Sequence, residues 1–190
     1  TPVGTYPITV TGTAGSLSRT TSFNLIVPSP ILPPSGLVAY WNFDEGSGTT
    51  TADASGNGHT ATLVNGPAWT SGQAGQALSF SSAKYVSFKK IPLTDFTMSA
   101  WVWINTAANG GNILGNDQSR GIVGIADFDT TSMIIGDSGG NVATFTGATP
   151  SLQTWHHIVA VNRSSQRQVE LYVDGISKGT KNLTADFNSN

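Results

Sequence analysis

Apolar and polar residues alternate along most of this chain with a period of two, the mark of a strand that buries one face. Tyr6, Ile8 and Val10 alternate with polar neighbours, and Phe23, Leu25 and Val27 repeat the pattern beyond a connection through Gly12 and Gly15. These arms predict a β-hairpin, and since two strands alone are marginal in water, a larger sheet to hold them. Pro28, Pro30, Pro33 and Pro34 follow within residues 28–36. So many prolines predict a semi-rigid extended linker and a boundary. The chain therefore divides into a hairpin at 1–27, a linker at 28–36 and a second unit at 37–190.

The second unit reads as strand throughout. The pattern predicts strands at 37–43, 77–80, 85–88, 96–104, 122–128, 133–135, 141–145, 155–161, 168–173 and 176–180, and no window carries a helical stripe. Asp174-Gly175 lies between two of these runs. Asp-Gly is the strongest short hairpin signal, because a type I′ turn needs positive φ at both positions. Many short strands between turn residues predict an all-β, antiparallel, two-sheet jelly-roll sandwich. Alternation nominates Trp41, Phe43, Leu78, Phe80, Trp101, Trp103, Ile158, Ala160, Leu171 and Val173 for its core.

Composition sharpens this picture. Charged residues are 11% of the 190, against about 25% in an average soluble protein. Serine and threonine make up about a quarter of the chain, a bias toward loops and exposed β surface. The net charge of -2 argues against a nucleic-acid partner, which needs a basic cluster, and no apolar run is long enough for membrane insertion. Cysteine is absent, which removes disulfides, thiol nucleophiles and cysteine-ligated zinc.

Five motifs, in order, resemble the laminin-G-like, concanavalin-A-like jelly rolls of bacterial extracellular proteins. Leu37-Val38-Ala39-Tyr40-Trp41-Asn42-Phe43 resembles the opening strand, and Asp53-Ala54-Ser55-Gly56-Asn57-Gly58-His59 a characteristic loop. Phe96 to Trp103 is similar to the central strand, and Trp155 to Val161 with Leu171 to Gly175 to the late hairpin. The hairpin at 1–27 resembles the last two strands of an immunoglobulin-like module. The resemblance implies a non-catalytic binding or adhesion module of a large secreted or cell-surface protein. Its partners would be carbohydrate or a surface protein, with a structural spacer as the alternative. The closing strand usual in such jelly rolls has no counterpart before Asn190. The missing strand is therefore expected from other domains of the parent chain or from another chain.

The loop at 53–59 is the candidate metal site. Calcium takes six to eight oxygens from carboxylates, amides and backbone carbonyls. Asp53 offers a carboxylate, Asn57 an amide oxygen, His59 a nearby carbonyl and Asp44 a second carboxylate. In the family that the resemblance implies, such a loop often holds a structural calcium. The alternative is a metal-free Asx-turn, which the same residues favour. For a sugar ligand, Trp69 is the candidate loop aromatic, because pyranose faces stack on exposed rings. Glycosidase chemistry needs two carboxylates flanking one bond. Glu45 and Glu170 are the only glutamates and lie far apart, while Asp127 and Asp129 read more simply as a charged strand end. His156 and His157 are adjacent and point to opposite faces of a strand, one toward the core and one to solvent.

Overall fold

The computed structural model describes residues 4–27, 35–81, 83–106, 112–115, 124–128, 132–136 and 142–184. The hairpin forms as expected: β1 (Gly4–Ala14) pairs antiparallel with β2 (Leu17–Val27) in unbroken register. Register sets Tyr6 opposite Leu25 and Ile8 opposite Phe23, and Phe23 and Leu25 stay exposed. The prolines at 28–34 lie outside the described residues.

The remaining strands are β3 (Thr50–Thr51), β4 (Ala61–Val64), β5 (Ala68–Ser71), β6 (Gln76–Ser79), β7 (Tyr85–Ser87), β8 (Phe96–Trp103), β9 (Leu114–Gly115), β10 (Gly124–Phe128), β11 (Ser132–Gly136), β12 (Val142–Thr146), β13 (Trp155–Arg163), β14 (Gln168–Val173) and β15 (Ile176–Asn182). Ser164–Gln166 is a single 3-10 turn. Two four-stranded antiparallel sheets, β15-β14-β13-β8 and β12-β11-β10-β9, carry the main core. β3-β4-β7 and β5-β6 form smaller sheets.

The core follows from strand parity. Met98 on β8, Ile158 and Ala160 on β13, and Val169, Leu171 and Val173 on β14 point the same way, toward Met133, Ile135, Ala143 and Phe145 of the facing sheet. Phe145, Met133, Ile158, Leu171 and Val169 are fully buried. Burying one such side chain is worth about 1.5–3 kcal/mol, so this cluster holds the two sheets together. The β14–β15 turn adopts the predicted form, with Asp174 at φ 52 and Gly175 at φ 75.

Several expectations need correction. Residues 37–43 form no ladder. Their backbone is spent on a loop: the Ala54 N–H donates to the Tyr40 carbonyl, and the Tyr40 N–H to the Asp53 carboxylate. Phe43 then turns the chain with φ 57, a left-handed conformation that ends an extended run. Phe80, Trp101 and Trp103 are exposed, and Trp41, Phe43 and Leu78 only half-buried. On β8 the buried parity is Phe96, Met98, Ala100 and Val102, so Trp101 and Trp103 project outward with Thr97 and Ser99. Trp69 sits in strand β5 and not in a loop. Asp129 lies outside the described residues.

Candidate functional site

The outward face of the β15-β14-β13-β8 sheet gathers the aromatic side chains. Register places Trp103 opposite Trp155 and Trp101 opposite His157, and cross-strand partners share a face. The Trp101 and His157 rings stack with centroids 5.1 Å apart, and Trp103 meets Trp155 edge-on at 5.9 Å. Trp101 remains 53% exposed and Trp103 46%, while Trp155 and His157 are half-buried. The Trp103 indole N–H donates to Asn105 Oδ1 at 3.0 Å, which fixes the ring. Farther along this face Arg163 pairs with Glu170 at 3.0 Å. The Tyr172 hydroxyl, above all, holds the Glu170 carboxyl below the usual range; partial burial opposes this, and Arg163 and Ser177 assist.

Trp69, the aromatic first nominated for a ligand, is half-buried, and its indole N–H donates to the Gly48 carbonyl. It does not join the face on β8 and β13, which belongs to a different sheet.

The four candidate calcium residues are each engaged by the protein itself. Asp53 Oδ1 accepts the N–H groups of Tyr40 and Ser55, both at 2.9 Å, and Oδ2 accepts the N–H of His59 at 3.0 Å. Partial burial resists ionisation of Asp53, yet the Ser55 hydroxyl and the Tyr40, His59 and Ser55 N–H groups outweigh it and hold this carboxyl far below the ordinary range. The Asn57 amide donates to the carbonyls of Leu37 and Val38. The His59 carbonyl accepts the Trp41 indole N–H at 2.7 Å. Asp44 stands elsewhere: Oδ1 accepts the Gln76 N–H, Oδ2 the Asn42 amide. A Cβ on Gly75 would collide with Asp44 Oδ1, and Gly75 has φ +67, so this junction requires glycine.

In this structure the polar groups of the loop serve one another: its carboxylate and carbonyl oxygens accept hydrogen bonds, and Asn57 turns its NH₂ toward the two carbonyls beside it. Among the described residues no three His, Cys, Asp or Glu side chains converge as a metal group. The loop is an Asp-centred hydrogen-bond clamp, in line with the Asx-turn alternative.

His156 is buried and His157 faces outward, as the strand's alternation requires. His156 Nδ1 lies 2.7 Å from Asp174 Oδ2, and Asp174 Oδ1 accepts the His157 N–H at 2.9 Å. His156 Nε2 is 2.9 Å from Ser151 Oγ and 3.1 Å from the Ser151 carbonyl. The connectivity is that of a serine nucleophile, a base and an orienting acid. In the neutral ring the nitrogen facing the carboxylate carries the proton, so Nδ1 donates to Asp174 and Nε2 accepts the Ser151 hydroxyl, with the Ser151 carbonyl alongside. The arrangement is a polar strut tying the residues before β13 to the β14–β15 turn. Asp174 is lowered from its usual range, first by the His156 bond and then by the His157 N–H. Asn162, in an Asn-x-Ser sequon, is buried and donates to the Thr94 carbonyl, so in the folded chain it offers no acceptor for a glycan.

Residues 75–190 match a family model described as the Concanavalin A-like lectin/glucanases superfamily, of laminin-G type. The match spans more than half of the chain and includes β6–β15; the motifs at 37–43 and 53–59 lie outside it. No curated protein matches the chain.

Proposed function

The chain belongs to the concanavalin A-like lectin/glucanases superfamily, and from this we propose that it is a non-catalytic binding or adhesion module of a secreted or cell-surface bacterial protein, recognising carbohydrate or another surface ligand. The observation that carries the reading is the solvent-facing set Trp101, Trp103, Trp155 and His157 on β8 and β13. Neighbouring exposed tryptophans on a flat sheet face are expensive to leave in water, and large apolar patches on soluble domains mark interaction sites. Sugars suit such a surface, because their C–H faces stack on indole while polar neighbours take hydroxyls.

Glu45 and Glu170 favour binding over glycoside cleavage. Glu45 accepts the Ala52 N–H and Glu170 holds Arg163 and Ser177, so each serves a local partner. The hairpin of β1 and β2 is, in this reading, the tail of a preceding immunoglobulin-like module, supported by its unbroken register and apolar face. A glycan array probed with the intact chain tests the proposal. Retention on defined glycans, lost on Trp101→Ala, supports it. Absence of any glycan or surface-protein binding favours the spacer reading, and release of reducing sugar from a bound polysaccharide favours an enzyme.

A further inference from the structure

We infer that the apolar face of the β1–β2 hairpin is a dimerisation surface, occupied in solution by the same face of a second copy of this chain. The inference is independent of the binding-module reading and concerns a different part of the molecule. Strand parity sorts the hairpin into two unlike faces. One carries Tyr6, Ile8 and Val10 of β1 beside Leu25 and Phe23 of β2, and runs on to Leu17 at the turn. The other is threonine, serine and asparagine, broken only by Pro7 and Ile26, and water suits it. Among the described residues β1 and β2 pair only with each other. Val10, Leu17, Phe23 and Leu25 each leave about half of their surface in water. An apolar patch of this kind, contiguous and on one face, marks an interaction site where scattered apolar residues would not.

Area, twist and charge select the occupant. Four half-exposed side chains at roughly 100 Å² each, with half-buried Tyr6 and Ile8 adding to them, give about 500 Å² per face. Two such faces bury about 1,000 Å² together, enough for a specific contact but less than the ~1,200–2,000 Å² of a stable complex. The product is a reversible dimer with a Kd on the order of 10–100 µM. A second copy brings a ribbon of the same length and the same right-handed twist, and like-twisted sheets pack face to face about 10 Å apart. Arg19 is the only charged residue between Gly4 and Val27. It lies on this face opposite Gly12, toward the turn. A two-fold axis through the middle of the face, perpendicular to the strands, sends the two arginines to opposite ends. No charge is then buried at the centre and no like charges meet. Pairing edge to edge would leave the apolar face in water, and Pro7, without an N–H, interrupts the donors of β1.

The test is sedimentation velocity of the whole chain from about 1 µM to about 500 µM, a range that brackets the expected Kd. The sedimentation coefficient should rise with concentration toward that of a dimer. Phe23→Asp sets a charge in the middle of the face and should weaken the dimer about tenfold or more. Thr9→Asp, on the polar face, should leave it unchanged. A second readout leaves the apolar face intact. The chain has no cysteine, so a nitroxide on Ser22→Cys, whose position is on the polar face opposite Thr9, reports the distance between copies. Dipolar spectroscopy should give about 20–30 Å at high concentration, the ~10 Å sheet spacing plus two label arms, and no such distance at low concentration. A monomer across the whole range overturns the inference and leaves the face to the strands of a preceding module. A dimer that survives Phe23→Asp, that lacks the label distance, or that dissociates on Trp101→Ala overturns it as well, by placing the contact elsewhere. None of these outcomes decides the glycan-array result, so the two readings fail separately.

Discussion

Replacing Asp53 by alanine removes one carboxylate and strands three backbone donors. Tyr40, Ser55 and His59 all point their N–H groups at it, at 2.9, 2.9 and 3.0 Å. A hydrogen bond to a charged group contributes about 1.5–3 kcal/mol and a neutral one about 1 kcal/mol. Water can reach the released donors in this partly exposed loop, so the lower figure applies, giving about 3 kcal/mol for the three bonds. In a domain of this size 1 kcal/mol moves the melting temperature by about 2–4 °C, so Asp53→Ala should melt about 6–12 °C lower. Asp53→Asn keeps acceptor capacity for two of the donors but turns an NH₂ on the third, and should fall between. The pH dependence has a definite sign. Asp53 titrates far below its unfolded value of about 3.9. Its contribution is therefore complete above that value and declines as the pH drops toward the folded pKa, because only the unfolded chain takes up the proton there. Thermal melts by circular dichroism between pH 3 and 7, with and without a calcium chelator, measure all of this. A variant melting within a degree of the parent at pH 7 refutes the clamp. A chelator that lowers the parent's melting temperature but not the variant's replaces the clamp with a cation.

Three further outcomes are expected. His156→Ala leaves the Asp174 carboxylate and Ser151 without their shared partner; losing this strut, whose acid is exposed, should cost about 1–2 kcal/mol in urea unfolding, and an unchanged midpoint refutes its structural role. Gly75→Ala meets both a positive φ and the Asp44 carboxylate, so it should destabilise by about 1–3 kcal/mol, with Gly15→Ala, in open space at the β1–β2 turn, limited to the backbone part of that penalty. Arg163→Ala breaks a partly exposed pair and should shift stability by no more than about 1 kcal/mol, with a smaller effect in high salt; a larger, salt-independent loss would mean that Arg163 packs as well as pairs.

How much of this was legible from sequence depends on whether local pattern or distant partners decided the outcome. The late strands were plain. Gln168-Val169-Glu170-Leu171-Tyr172-Val173 alternates without exception, and Asp174-Gly175 can close only one kind of turn. The short strands β3, β4, β5 and β9 were missed, because runs of two to four residues are too brief for a period to declare itself. The segment at 37–43 misled for the opposite reason. It has strand composition, but its hydrogen-bonding groups go to Asp53, Ala54, Ser55 and Asn57, and nothing in residues 37–43 alone announces that a loop thirteen residues on will claim them. The loop itself stood out in the sequence, and in this structure its Asp53 carboxylate captures three backbone donors.

The aromatic face could have been found by weighing both parities of β8 together. One parity is Phe96, Met98, Ala100, Val102 and Ile104, apolar at every position; the other is Thr97, Ser99, Trp101 and Trp103. Aromatic size argues for burying the second set, but two hydroxyl residues on a core face would each need a partner, whereas the first set needs none. The uniformly apolar parity wins, and the tryptophans go to solvent. The same test fails on β13, where the inward set includes His156 and Asn162 and the outward set includes Val159 and Val161. There the face is imposed by the neighbours: β8 on one side and β14 on the other leave β13 a single register in which Ile158 and Ala160 meet the core. His156 and Asn162 can follow them inward because Asp174 and Ser151 partner the imidazole and the Thr94 carbonyl accepts the Asn162 amide. The polar partners that meet His156 and Asn162 are thus what lets the other face of β13 carry Trp155 and His157 beside the exposed tryptophans of β8.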